Sequence, residues 1–228
     1  MFFVTAKPKI IIMDIAKNIE TLLEEIPATV KLVAVSKTKS NEEIMQAYNA
    51  GQRVFGENKI QEMSRKYEEL PKDIQWHMIG HVQSNKVKYM APYVSLIHGV
   101  DSQKLLKEIN KQALRNNRVI DCLLQIHIAE EESKFGLSIE ACHDAIEMAQ
   151  NLQSTNIVGL MGMATLTNDQ SQIAKEFEVL KTLYDKLIHQ NFPLEIISMG
   201  MSGDYPIAIK KGSNMIRLGS KIFGLRNY

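Results

Sequence analysis

Cysteine is scarce: the chain of 228 residues has two, Cys122 and Cys142, and their spacing fits neither a metal site nor a dithiol motif. That argues against a disulfide scaffold and leaves both as small core residues of a protein kept in a reducing compartment. Six prolines and twelve glycines are too scattered to form a low-complexity linker, so one domain over residues 1–228 is expected. An excess of either charge is also missing, because 27 Lys and Arg stand against 26 Asp and Glu, a formal net charge of +1. Such a balance carries no electrostatic footprint for nucleic acid or for an anionic membrane surface. No apolar run approaches a membrane span, and the first residues meet a charge at Lys7 before a signal-peptide core could form. A cytoplasmic location is the expectation.

What the chain does have is alternation. Apolar residues recur at helical spacing from Ile12 to Ile26, which predicts a leading helix. Strand-like runs follow at 30–36, 53–56, 75–79, 94–97, 121–128, 157–161, 194–199 and 215–218. Between them lie amphipathic stretches with recognisable starts. Ser40 and Glu43 form a capping box, Asp101 or Ser102 precedes Leu105 and Leu106, Ser138 precedes Cys142, and Asp169 opens a long run through Leu187. Repeated β-α units imply parallel strands, and closing eight of them predicts a single (β/α)8 TIM-type barrel with an extra N-terminal helix. The rival is an open, doubly wound sheet. Few residues follow Leu218, so the leading helix is expected to cover part of the place where a final outer helix would lie.

In a barrel of this kind chemistry collects at the strand C-termini, and an anion commonly sits after strands seven and eight. Ser202, Gly203, Gly219 and Ser220 occupy those two loops; glycine permits close backbone approach and serine adds a hydroxyl, although both are also ordinary turn residues. Lys37 ends the first strand. It reads either as a solvated charge or as a Schiff-base amine, favoured in the second case by partial burial and by neighbouring cations such as Lys39. Arg217 belongs to strand eight and points into or across the mouth, unless it pairs with a carboxylate at the rim. An amine beside a phosphate cradle is what pyridoxal 5'-phosphate requires.

Six segments, in order, carry a family resemblance: Ala34-Val35-Ser36-Lys37-Thr38-Lys39, Phe55-Gly56-Glu57-Asn58, Trp76-His77-Met78-Ile79-Gly80-His81-Val82-Gln83-Ser84-Asn85-Lys86, Glu132-Ser133-Lys134-Phe135-Gly136, Ser198-Met199-Gly200-Met201-Ser202-Gly203-Asp204, and Ile216-Arg217-Leu218-Gly219-Ser220-Lys221-Ile222-Phe223-Gly224. From about Val30 onward the chain resembles the pyridoxal-phosphate homeostasis proteins, single-barrel relatives of the alanine racemase N-terminal domain. The resemblance implies that Lys37 holds pyridoxal 5'-phosphate as an internal aldimine. It also implies that Ser202, Gly219 and Ser220 belong to the phosphate loops, that Arg217 faces the pyridine nitrogen, and that Asn58 and His77 line the pocket.

Each of these last two has a plainer reading, Asn58 as a helix cap and His77 as a satisfied histidine inside the barrel. Lys86 and Lys134 match lysines near the mouth and read more simply as surface charges. The family often has Thr at the place of Ser220 and Gly at the place of Phe135. The serine keeps the hydroxyl, whereas Phe135 changes the loop beside Lys134.

Arginine can only donate, so Arg217 would face an unprotonated pyridine nitrogen and weaken the ring as an electron sink. Racemisation would further need a second acid/base group of the kind that two-domain racemases draw partly from a C-terminal domain, and no counterpart of that domain is expected here. The expectation is a carrier that buffers or delivers pyridoxal 5'-phosphate to apo enzymes, a monomer, with a weak amino-acid racemase as the first alternative and a Schiff-base aldolase as the second.

Overall fold

The computed structural model describes residues 14–131 and 135–224. Its eight strands close on themselves in chain order, each parallel to its neighbours: β1 (Lys31–Val35), β2 (Val54–Glu57), β3 (Gln75–Met78), β4 (Leu96–Val100), β5 (Ile120–Ile126), β6 (Thr155–Gly162), β7 (Ile196–Ser198) and β8 (Met215–Leu218). Closure is made by β1 against β8, with Val33 paired to Arg217 and Ala34 to Leu218. The barrel is the expected one, and the open sheet is excluded. Several strand ends differ from the sequence reading: the fourth strand starts later and ends at Val100, and the fifth stops at Ile126. Apolar runs continue past the ladder into buried loops there, and periodicity cannot tell the two apart.

Helix α1 (Ile15–Glu25) precedes β1, capped by the Asp14 carboxylate on the Lys17 amide. Its expected first residue, Ile12, lies outside the described residues. The helix packs against α2 (Asn41–Asn49) and against α9 (Ser220–Phe223), the short helix after β8, and Asn18 Nδ2 donates to the Ile222 carbonyl at 2.9 Å. The leading helix therefore does cover the end of the barrel where the last outer helix is short. The remaining helices are α3 (Ile60–Glu69), α4 (Val87–Met90) after a 3-10 turn at Ser84–Lys86, α5 (Gln103–Arg115), α6 (Ile139–Ala149), α7 (Gln170–His189) and α8 (Tyr205–Lys210). The capping box at Ser40 and Glu43 is formed. Ser102, not Asp101, caps α5, while Ser138 and Asp169 cap α6 and α7.

Strand alternation sorts the side chains into two apolar sets. Leu32, Ala34, Phe55, Trp76, Ile97, Leu124 and Ile216 belong to the shell between sheet and helices, with both cysteines. Val33, Val54, Leu96, Leu123, Met161 and Met215 fill the barrel itself. Farther along the same inward-facing positions lie polar residues, His77, His98, Ser198 and Arg217, all buried. No described helix is long and apolar enough to cross a membrane.

Candidate functional site

Lys37 lies two residues beyond the last residue of β1, half-buried, in a tight turn that the Lys39 amide closes onto the Ser36 carbonyl at 3.0 Å. Thr38 takes a left-handed φ of 66°, an outlier for a β-branched residue. The neighbours of Lys37 are tied from below. Ser36 is fully buried and donates its hydroxyl to Glu57 Oε1 at 2.6 Å. The Lys66 ammonium, also fully buried, donates to the Ser36 carbonyl at 2.8 Å, to Glu57 at 2.8 Å and to Glu62 at 2.7 Å. Glu62 in turn accepts the Thr38 amide at 2.7 Å.

One ammonium thus serves two carboxylates. Burial raises the pKa of Glu57 despite Lys66 and Ser36, and its second oxygen has no hydrogen-bond partner. Burial also acts on Glu62, but the bonds from Lys66 and Thr38 prevail and lower its pKa. The more exposed carboxylate keeps its charge and the buried one holds its proton longer. Lys39, the cation expected to neighbour Lys37, is bound to Glu43 and to the Phe223 carbonyl, each at 3.0 Å.

Inside the barrel a second polar set runs from β3 to β8. His77 Nδ1 meets His98 Nε2 at 3.0 Å, His98 Nδ1 meets Ser198 Oγ at 3.3 Å, and Arg217 Nη1 donates to Ser198 Oγ at 2.6 Å and to the Ser198 carbonyl at 2.9 Å. Arg217 Nη2 donates to the Gly162 carbonyl at 3.1 Å. Burial pushes His77 down to about 3, with Lys31 adding to the effect. It pushes His98 well below the ordinary histidine value, with His77 and Arg217 adding. Both rings are therefore neutral, and one proton on each satisfies the chain in either tautomeric direction. Burial lowers Arg217 to about 10 while Asp204 opposes the shift, so the guanidinium remains charged at neutral pH. It lies within the barrel on hydroxyl and carbonyl acceptors, not in a pair at the rim.

The β7 and β8 loops meet at one hydrogen bond, the Gly219 amide to Ser202 Oγ at 3.2 Å. That bond uses the Gly219 donor and leaves the serine hydrogen to be aimed elsewhere. Ser220 is exposed and begins α9. Gly203 is exposed, and a Cβ placed there would meet nothing within 4 Å, so the fold itself has no steric need for glycine at that point and the space beside it is open. Asn58 is half-buried at the end of β2 and caps nothing, since the N-cap of α3 is Lys59 without a side-chain bond. Gly80 explains its seat: a Cβ on Gly80 would fall 2.5 Å from the Asn58 carbonyl oxygen, so the chain two residues beyond β3 must be glycine for the residue just after β2 to lie against it. Lys86 is half-buried over the Tyr89 ring at 5.8 Å. Lys134 lies outside the described residues, while Phe135 stacks on His81 at 4.0 Å between ring centroids, and His81 holds Asp101 at 2.8 Å.

Lys37, Asn58, His77, Ser202, Gly203, Arg217, Gly219 and Ser220 are therefore all placed toward the C-terminal half of the barrel strands or in the loops after them. His98, Ser198, Glu57, Glu62 and Lys66 were passed over in the sequence reading. Inward parity on their strands marked the first two, and i, i+4 spacing marked the last pair.

A family described as "Alanine racemase, N-terminal domain" matches residues 10–227. A pyridoxal phosphate homeostasis protein of Aquifex aeolicus is 39% identical over 87% of this chain and 88% of its own length. One from Haemophilus influenzae is 37% identical over 94% of each. This chain belongs to the pyridoxal phosphate homeostasis protein family. Among solved structures of similar proteins, PipY of Synechococcus elongatus with PLP bound superposes with a TM-score of 0.86 at 34% identity, over 92% of this chain and all of that one. An alanine racemase of Clostridium difficile, 13% identical with a TM-score of 0.78, shares the barrel alone.

Proposed function

We propose that this homeostasis-family protein binds pyridoxal 5'-phosphate at the C-terminal mouth of the barrel, attached through Lys37, and serves as a carrier that keeps or delivers the cofactor. The observation that carries the reading is the juxtaposition at the seam of the barrel. Lys37 lies in the turn after β1, the adjoining strand β8 brings Arg217 beneath the mouth and Gly219 beside Val35, and the Ser202–Gly219 bond draws the β7 loop to the same corner.

The residues fit the group. When bound, the cofactor supplies an aldehyde that condenses with a primary amine and a phosphate that demands donors. The Ser202 hydroxyl is already an acceptor for Gly219, so its own hydrogen serves as a donor, and Ser220 and the open space at Gly203 complete the anion seat. Arg217 is a buried cation whose protein acceptors are neutral, and as a permanent donor it suits an unprotonated ring nitrogen. That arrangement disfavours electron withdrawal through the ring. Neutral His77 and His98 orient Ser198 and, through it, the guanidinium. Asn58 lines the same end from β2.

The test is an absorbance titration of the purified protein with pyridoxal 5'-phosphate, borohydride reduction and peptide mapping, followed by mixing of the loaded protein with an apo enzyme that needs the cofactor. A reduced adduct on Lys37, lost in Lys37→Ala and kept in Lys39→Ala, together with restored activity of the apo enzyme, is the expected result. An adduct mapped to another lysine overturns the attachment site. Turnover of free amino acids with solvent deuterium entering the α-carbon, abolished by Lys37→Ala, replaces the carrier reading with a racemase.

A further inference from the structure

Nothing in the binding reading requires a buried ion cluster outside the barrel, yet one lies directly under the attachment residue. Glu57, Lys66 and Glu62 occupy the layer between the sheet and α3, on the outward side of β1 and β2. Their bonds to the chain fall on the two residues that flank Lys37: Lys66 and Glu57 take the carbonyl and the hydroxyl of Ser36, and Glu62 takes the amide of Thr38. The cluster therefore grips the peptide on both sides of one residue. Thr38 is held in the left-handed region at φ 66°, a conformation a β-branched residue keeps only when its surroundings impose it. The Lys39–Ser36 turn bond and the Lys39 contacts to Glu43 and Phe223 fix the next residue along.

We infer that Glu57, Lys66 and Glu62 are positioning residues that set the direction of the Lys37 amine toward the aldehyde of its ligand. The inference rests on the binding reading above and adds the reason why one lysine of the Lys37–Lys39 pair is the one presented. None of the three need touch the ligand. The condensation they assist joins the Lys37 nitrogen to the aldehyde carbon and expels water, with no oxidant or reductant, and its rate depends on how often the amine stands in line with the carbonyl.

The experiment uses the full chain with two ligands, pyridoxal 5'-phosphate and pyridoxine 5'-phosphate. The second has an alcohol in place of the aldehyde and reports the seat without the covalent step. Glu62→Ala removes the acceptor of the Thr38 amide from a partly exposed position, whereas Glu62→Gln retains an acceptor oxygen. Capture of the aldehyde by Glu62→Ala is expected to slow about tenfold, with Glu62→Gln within about threefold of the unmutated protein and the affinity for the alcohol unchanged in both. A purely structural role would weaken both ligands together and would not be rescued by the amide.

Glu57→Gln combined with Lys66→Met, which removes both fully buried charges at once, is the second variant and is expected to slow capture at least as much. Capture by both the Glu62→Ala and the double variant within about threefold of the unmutated rate, or parallel loss of alcohol affinity, overturns the inference. If the unmutated protein captures no aldehyde on Lys37, the binding reading fails, and the positioning role with it.

Discussion

Two buried polar clusters stand on opposite faces of the same closed sheet, on different strands, and they meet burial in opposite ways. The Glu57–Lys66–Glu62 cluster, outside the barrel, compensates charge with charge: its ammonium and Glu57 are fully buried and Glu62 is largely so. The His77–His98–Ser198–Arg217 chain, inside the barrel, leaves both histidines neutral and gives its one cation only hydroxyl and carbonyl acceptors. An ion cluster whose partners all belong to the protein is a structural clamp. A buried cation resting on neutral groups beneath an open mouth is suited to meet something the fold does not contain.

The sharpest break in that contrast is Lys66→Met. It strands two carboxylates, one of them wholly buried, and is expected to cost about 3–5 kcal/mol in urea unfolding, most of it recovered when Glu57→Gln is added. A loss within experimental error would show that the cluster is not a clamp.

The interior chain is tested by acid. Unfolded histidines take up protons near pH 6.5, whereas folded His77 resists until about 3 and His98 shifts in the same direction. The unfolded state therefore binds more protons in that window, and the stability contributed by neutral burial is present above pH 6.5 and lost as pH falls. Between pH 6.5 and 4.5, above the ordinary value from which Glu62 is lowered, each histidine should remove up to about 1.4 kcal/mol per pH unit. The raised Glu57 works the other way, taking its proton in the folded state first. Unfolding midpoints measured across this window should slope less in a His77→Gln, His98→Gln variant. Equal slopes would mean that the rings are not held neutral.

Arg217→Met sharpens the comparison from the other side. It strands no charge among the groups that Arg217 bonds, so the expected change in stability is about 1 kcal/mol, far below that of Lys66→Met, while the affinity for pyridoxal 5'-phosphate falls measurably. A loss as large as that for Lys66→Met would make the two clusters equivalent in structural weight.

The smallest effect belongs to Thr38→Gly, which relieves the left-handed strain and loosens the turn. Stability should change by no more than about 1 kcal/mol, while capture of the aldehyde slows. Faster capture would show that the strain opposes the geometry instead of holding it.

Much of the barrel was legible in the chain because its signals are local. The capping box at Ser40, the serine caps at 102 and 138 and the apolar stripe of the leading helix are written within a few residues of where they act. The placement of Lys37 after β1 and of Ser202, Gly219 and Ser220 after β7 and β8 followed from strand order alone. The plainer reading of Asn58 as a cap failed because a half-buried polar residue before a helix looks the same whether it bonds the helix or lies against a neighbouring strand, and only the approach of Gly80 decides. Arg217 could be placed on its strand but not given its partners, since the acceptors come from Ser198 and Gly162.

By itself the sequence determined the order of strands and helices, the family, and the residues offered at the strand ends, because periodicity, caps and motifs are properties of neighbouring positions. Tertiary structure decided the rest. Closing the sheet brings His98 to Ser198 across one hundred residues and sets β8 beside β1, so the polar chain and the seam are consequences of closure. Packing α3 onto the outer face brings Lys66 under Ser36, thirty residues away, and a contact between such distant residues has no signature until the layers between them are built.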